Sequence, residues 1–378
     1  MTREPVYLDN AATTAALPEV VETMRIFLSR QYGNPASSHG MGVAAARTMD
    51  EAAAALAASV GGGPWEAVFT SSGTEANNLA LLGTAVKRRE TSVVTTAIEH
   101  ASVLEPLKSL VSRGMSLALV PPGEDGRVRA ADVIAAVDDK TCLVSVQHAN
   151  NELGTIQPVG EIGSLLKKLR PGVLLHVDAV QTAGKTDLDE AARWADLVTL
   201  SAHKVHGPKG VGALLIRKDA PRPSPLIRGG GQQGGLRSGT ENVPGAAGFA
   251  LAVKLAAARI AEHAASMKAL EEAFDEGFRE IAGARRLLGA SPHLPGFIVV
   301  GFPRIPSEVV EHAMEAEGFI VSSSAACSSR KLKRSHVLEA VGLPEDTHVI
   351  RVVPSRFTAR DDMAAAAAAL ARVLGRLG

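Results

Sequence analysis

Short apolar runs alternate with longer mixed segments through the first two thirds of the chain. Residues 67–70, 92–96, 117–120, 142–147, 173–178, 197–201 and 212–216 are bounded by polar residues or glycine and are mostly apolar at successive positions. Apolar runs without alternation predict strands buried on both faces, as in a parallel sheet. Between them, residues 74–89, 101–113, 129–137 and 158–169 carry helical patterns. Such strand–helix alternation implies βαβ units and a mostly parallel sheet covered by helices, an α/β fold. Residues 243–281 are nearly all helix-forming and predict one long helix or a broken pair. From about residue 260 the pattern changes. Strand-like 296–301, 319–322 and 349–353 interleave with helical 307–317 and 336–341, and 360–377 reads as an Ala-rich helix. That is the pattern of a smaller α+β domain. The alanine run 364–369 needs no explanation beyond helix propensity.

Composition narrows the class. A length of 378 residues fits two to three domains, or one large α/β domain with an appendage. Forty basic and forty acidic residues give no formal net charge, which argues against a nucleic-acid-coating or polybasic membrane-surface protein. A hydrophobic content of 46% is ample for a large core. Two cysteines, Cys142 and Cys327, exclude a disulfide framework and a four-cysteine zinc site. Residues 1–9 lack the basic and apolar regions of a signal peptide. The apolar stretch 246–265 is interrupted by Lys254, Arg259 and Glu262. A soluble, cytoplasmic enzyme is the expectation, with no membrane partner and no metal.

Five segments carry candidate chemistry. Lys204 comes just after a predicted strand, where desolvation can deprotonate a lysine and make it a nucleophile; Ser201 and His203 beside it can donate to a phosphate. Asp178 ends another apolar strand, at the edge where open α/β sheets bind ligands; it could equally be a helix N-cap. Residues 69–78 run from strand through Ser71, Ser72 and Gly73 into a helix, and the Thr74 hydroxyl with the first amides suits a phosphate as well as an ordinary cap. Residues 229–234 match the form G-x-G-x-x-G, but Pro221, Pro223 and Pro225 leave no clean strand before it, and Ser238, Gly239 and Pro244 interrupt any helix after it. A linker, or a loop that shapes a ligand site or interface, remains. Cys327 lies among small polar residues with Arg330, Lys331, Lys333 and Arg334 just beyond it, cations that favour thiolate, whereas Cys142 sits in an apolar strand as core.

Taken in order, these segments resemble the cysteine desulfurases of the NifS/IscS type, class-V members of the fold-type-I pyridoxal-phosphate enzymes. Further matching segments are residues 7–14, 33–39 (through Asn34), 98–104 (through His100) and 148–154 (through Asn151). The resemblance implies a seven-stranded, mostly parallel large domain over residues 15–258. It implies a smaller domain from residues 1–14 and 259–378 that carries the cysteine segment. It implies pyridoxal 5'-phosphate as cofactor and L-cysteine as substrate. Lys204 is then the lysine that carries the cofactor and shuttles protons, Asp178 the partner of the pyridine nitrogen, and His100 the ring-stacking, proton-handling group. Gln181 would bond the ring hydroxyl, with Asn151 near it and the substrate. Gly73, Thr74, Ser201 and His203 would hold the phosphate. Thr240 would reach the phosphate of a second subunit's cofactor, so a homodimer is expected. Arg351, helped by Asn34, would hold the substrate carboxylate, and Cys327 would take the sulfur as a persulfide.

Two departures from the family pattern stand out. Relatives commonly have S-G-S-A-C where this chain has Ser323-Ser324-Ala325-Ala326-Cys327, without the glycine that favours mobility, so a more extended and less mobile segment is expected. After Arg351, Pro354 replaces part of R-x-S-L, which makes Arg356 a second candidate for the carboxylate. The resemblance leaves the sulfur acceptor open among iron–sulfur cluster assembly, tRNA thiolation and DNA phosphorothioation, through an acceptor protein rather than direct nucleic-acid binding. The competing reading is a selenocysteine lyase, or another class-V lyase or aminotransferase, that does not need Cys327.

Overall fold

A computed structural model describes residues 4–61, 63–85, 91–278, 283–323 and 334–378. The chain begins with β1 (Val6–Tyr7), α1 (Pro18–Ser29), α2 (Gly40–Ser59), β2 (Trp65–Thr70), α3 (Gly73–Ala85), β3 (Ser92–Thr96), α4 (Ala101–Val111) and β4 (Ser116–Val120). It continues with α5 (Ala130–Ala135), β5 (Thr141–Gln147), α6 (Val159–Leu169), β6 (Leu174–Asp178), α7 (Asp189–Trp194), β7 (Leu197–Ser201) and β8 (Gly212–Arg217). Next come α8 (Val243–Ala257), α9 (Ile260–Gly277), β9 (Arg285–Arg286), β10 (Ile298–Pro303), α10 (Ser307–Ala316), β11 (Phe319–Ile320) and β12 (Ser322–Ser323). The last elements are α11 (His336–Ala340), β13 (Thr347–Val352) and α12 (Arg360–Leu377).

Seven strands form one sheet in the order β2-β8-β7-β6-β5-β3-β4. Every neighbouring pair is parallel except those of β8, which runs antiparallel to both β2 and β7. The sheet is thus α/β and mostly parallel, as the sequence pattern implies. All residues of β3, β5 and β7 are buried, which is why their sequences do not alternate. Successive side chains leave a strand on opposite faces, so adjacent residues feed different cores. Val94, Val144, Val198 and Leu215 join Leu56, Val20 and Phe249 from the helices on one face. Val93 and Leu143 pack with Leu81 and Leu107 on the other face, where Leu197 and Leu214 pack with Leu79. Each fully buried aliphatic side chain contributes about 1.5–3 kcal/mol.

A second sheet, β12-β13-β10-β9, is antiparallel throughout, and β1 pairs in parallel with β11 beside it. Its core draws on Met267, Leu270 and Phe274 of α9, Ile298 and Val300 of β10, and Leu370 and Val373 of α12. Small residues let α9 and α12 approach closely: a Cβ on Gly277 would stand 2.8 Å from that of Ala367. A separate cluster containing Ala11, Ile98, Leu153, Phe297, Val299 and Val337 draws on residues of both layers.

The helix-forming stretch from Val243 is a broken pair, bent by 73° between α8 and α9; no single helix among the described residues is long and apolar enough to cross a membrane. The strand expected over 319–322 is two strands, β11 and β12, which enter different sheets. Helices α1 and α2 have no counterpart in the sequence reading. The buried face of α2 is Gly42, Ala45, Met49, Ala52, Ala55 and Leu56, so small residues supply little apolar contrast with the exposed face.

Candidate active site

All strands of the large sheet except β8 point the same way, so their carboxyl ends share one edge. A cavity of about 350 Å³ lies there, in the position where open α/β sheets bind ligands. Lys204, Asp178, His100, Gln181, Asn151, Gly73, Thr74, Ser201, His203 and Arg351 all line it. The sequence scatters these residues from 73 to 351; the large sheet and, for Arg351, strand β13 of the smaller one bring them together.

Lys204 sits beyond β7 on a single 3-10 turn, residues 202–204. Its Nζ donates to the carbonyls of Ala11 (2.5 Å) and Ala12 (2.8 Å), on the segment that leads away from β1. The adjacent Thr14 N–H donates to the His203 carbonyl, and the His206 N–H donates to Thr14 Oγ1. The lysine therefore stands against an N-terminal segment pinned on both sides of it.

Asp178 ends β6 and is 6% exposed. Its Oδ1 accepts the Val180 N–H at 3.0 Å and its Oδ2 accepts Asn77 Nδ2 at 2.7 Å. Asn77 Nδ2 also donates to Ser102 Oγ at 2.8 Å, and Ser102 Oγ meets His100 Nδ1 at 2.8 Å. His100 caps α4, its Nδ1 accepting the Ser102 N–H at 3.1 Å. A neutral imidazole that accepts at Nδ1 carries its proton on Nε2. Burial holds the His100 pKa below the ordinary histidine range, with Lys204 and His336 acting in the same sense and Asp178 opposing.

At the other end of the cavity, Ser72 Oγ accepts the Glu75 N–H at 3.1 Å and so caps α3. Glu75 in turn accepts the Ser71 N–H at 2.7 Å and Arg237 Nε at 2.9 Å, which ties the glycine-rich loop to this turn. With the cap supplied by Ser72, Thr74 is not needed for it. A Cβ on Gly73 would lie 2.9 Å from Val180 Cγ2 and 3.3 Å from Ser201 Cβ. Ser201 Oγ is buried with no hydrogen-bond partner among the described residues. Such an orphaned hydroxyl beside the first amides of a helix is a ready anion donor. His203 contacts Thr13 Oγ1 at 3.1 Å; burial, with Lys204 and Lys209, pushes its pKa down to about 4.

Arg351 is 6% exposed on β13, opposite Val299 and Ser322. Its Nη1 donates to the Asn151 carbonyl at 2.7 Å and its Nη2 pairs with Asp9 Oδ1 at 2.6 Å. Its Nε is buried without a partner among the described residues. Pro354 lies past the end of β13, so it does not disturb this register. Arg356 lines a different cavity. Asn34 and Thr240 do not line the Lys204 cavity, and Thr240 is exposed. Asn34 sits in a turn of its own, its Oδ1 accepting the Ala36 N–H at 2.9 Å. Cys327 lies outside the described residues, as does the expected extension of its segment.

The sequence reading assigned no role to Asn77, Ser102, Gln147 or Ser323, which also line the cavity. Asn77 comes three residues after Thr74 on α3, which places both on one helix face; that spacing is the one signal available.

The chain matches the aminotransferase class-V family model over residues 6–362. It is 38% identical to the cysteine desulfurase IscS of Dictyoglomus turgidum, over 100% of this chain and 96% of the relative. A solved structure described as a NifS-like protein matches with a TM-score of 0.91 at 37% identity, over 98% of this chain and 100% of that one. A structure of SspA in complex with cysteine matches with a TM-score of 0.81 at 32% identity, over 94% and 100% of the two chains. The chain belongs to the aminotransferase class-V family. Within it, the chain has the fold-type-I architecture of the NifS/IscS group.

Proposed function

We propose that this protein is a pyridoxal-phosphate-dependent cysteine desulfurase that converts L-cysteine to L-alanine and passes the sulfur, through Cys327, to an acceptor protein in the reducing cytoplasm. The observation that carries this reading is the convergence of Lys204, Asp178, His100 and Arg351 on one cavity whose far end holds the orphaned Ser201 hydroxyl. The named cysteine desulfurase relative and the cysteine-bound SspA structure support the same substrate.

The residues present fit the cofactor. Ser201, Gly73, Thr74 and His203 would take its phosphate, and Asp178 would face its ring nitrogen, with Gln181 and Asn151 at the ring edge. When bound, pyridoxal phosphate supplies an electron sink for the bonds at the substrate Cα. Asp178, held by Asn77 and the Val180 amide, would give the ring nitrogen an oriented carboxylate partner that favours its protonated form. The Lys204 amine takes the Cα proton and returns it. Arg351 holds the substrate carboxylate, its Nε being the donor left over from Asp9 and Asn151. His100 presents its Nε2–H to the reacting centre. The Cys327 thiolate attacks the substrate sulfur: an S–S bond forms, the C–S bond breaks, and its electron pair ends, after protonation, in alanine. L-cysteine plus the thiol thus gives L-alanine plus the persulfide, with no outside oxidant. Ser323 lines the cavity, and four further residues reach Cys327, a span of at most about 14 Å.

We also propose that residues 15–258 and residues 1–14 with 259–378 are the two domains, and that Thr240 completes the phosphate site of a second copy. Its exposed position outside its own cavity supports this. The deciding experiment replaces Cys327 with Ser and measures alanine and sulfide from L-cysteine. Alanine formation is expected to fall by about a hundredfold or more while cofactor absorbance stays. Undiminished desulfuration would overturn the role of Cys327 and favour a lyase that does not use it.

A further inference from the structure

A second cavity, of about 430 Å³, shares Lys204 with the first as a common wall. It lies between the start of α9, the Lys185 turn, the loop after Lys204, and residues 353–357. Part of its wall is apolar, from Met267, Leu294 and Phe297, all buried. The rest is basic beyond what the reaction uses: Lys185, Arg259 and Arg356 join Lys204, against the carboxylates of Glu19 and Glu262.

Among the described residues, the Lys185 amine makes one hydrogen bond, a long one of 3.4 Å to Gln181 Oε1. Burial, with Lys204 and Arg351 nearby, pushes its pKa down to about 7, so a bound negative charge would restore its proton. The Arg356 guanidinium lies 5.1 Å over the Phe357 ring and makes no ion pair among the described residues. His206 stands edge-on to the same ring at 5.6 Å, its Nδ1 bonded to the Ala15 carbonyl at 2.9 Å. The fields of Lys185 and Arg356 both reach His206 and His263, so the two cations act on one space. Helix α9, 18 residues long, opens into the same cavity with no side-chain cap on its first amides.

We propose that this cavity is a second ligand site, for a small aliphatic carboxylate. Its charged end meets Lys185 and Arg356, and its body lies on Leu294, Phe297 and Met267. The excess of basic groups selects an anion. The apolar wall selects one with a hydrocarbon body over inorganic phosphate. Because Lys204 forms the shared wall, a carboxylate held here changes the charge felt by its amine without entering the cofactor cavity.

The test is calorimetric titration of the purified protein, cofactor included, with butyrate, butylamine and inorganic phosphate as probes. Butyrate is expected to bind in the millimolar range, butylamine and phosphate much more weakly. Lys185→Met and Arg356→Gln should each weaken butyrate binding about tenfold, whereas Arg351→Gln, which removes a charge that opposes protonation of Lys185, should not weaken it. Circular dichroism checks that each variant is folded; Arg356, partly accessible, keeps the test alive if Lys185→Met does not fold. Absent butyrate binding overturns the proposal. So does binding lost in Arg351→Gln but kept in the other two, or phosphate binding as tightly as butyrate.

Discussion

Asn77 donates both hydrogens of its amide, one to Asp178 and one to Ser102, and so fixes the Asp178 carboxylate directly and the His100 ring through Ser102. Replacing it with Ala leaves a buried carboxylate short of a donor. Stability should fall by about 1–3 kcal/mol in urea unfolding, and an unchanged midpoint would remove Asn77 from this network. Glu99, next in sequence to His100, is buried and accepts Thr96 Oγ1 at 2.6 Å and the Gln147 amide at 3.0 Å. Burial outweighs these donors and raises its pKa from 4.5 to about 8. Between those values the folded state holds a proton that the unfolded state has lost, so unfolding becomes easier as pH rises through that window. Glu99→Gln should flatten this decline, as unfolding midpoints measured from pH 5 to 8 would show. At this scale the sequence was legible for residues that end strands, such as Asp178 and Lys204, because strand ends are visible as pattern. It was mute on Asn77 and Glu99, whose partners lie in other elements.

Elements place these residues through backbone contacts that side-chain patterns do not report. Strand β8 runs against its neighbours, so its first residue, Gly212, pairs with both Thr70 and Ser201, the two strand ends that flank the proposed phosphate site. A Cβ on Gly212 would lie 2.4 Å from the Ser72 carbonyl carbon and 2.7 Å from the Gly73 nitrogen, both backbone atoms that cannot swing aside. Gly212→Ala should therefore push the capping turn out of place, costing about 1–3 kcal/mol of stability and releasing cofactor, which absorbance after gel filtration measures. Gly210→Ala is the control: its Cβ meets nothing within 4 Å, but φ is +80°, so the strain is local, about 1 kcal/mol, with cofactor retained. The short apolar strands were legible because burial on both faces leaves an unbroken run. The direction of β8 was not, since a parallel and an antiparallel buried strand have the same composition. Helix α2 escaped because it packs through alanine and glycine.

At the scale of the whole molecule, the proposed pairing of two copies makes a distinctive prediction. Lys204→Ala in one chain and Thr240→Ala in the other puts both lesions in one site and leaves the second intact. In an equal mixture that exchanges subunits about half of the dimers are mixed, each with one intact site, so alanine release should rise to about a quarter of the wild-type rate; no gain over the separate variants would place Thr240 elsewhere. The smaller sheet was legible as a change of pattern near residue 260, yet its tie to the first was not. The pairing of β1 with β11, and of Asp9 with Val353, joins residues more than three hundred positions apart. That tie has a mechanical consequence. The segment after β1 starts from the β1–β11 pair, bridges at Asp9 to Val353 past the end of β13, passes under the Lys204 amine at Ala11 and Ala12, and is fastened to the larger sheet's loop at Thr14. It works as a strap held at both ends: a shift of β1 relative to the turn after β7 would strain the short span on which the amine rests.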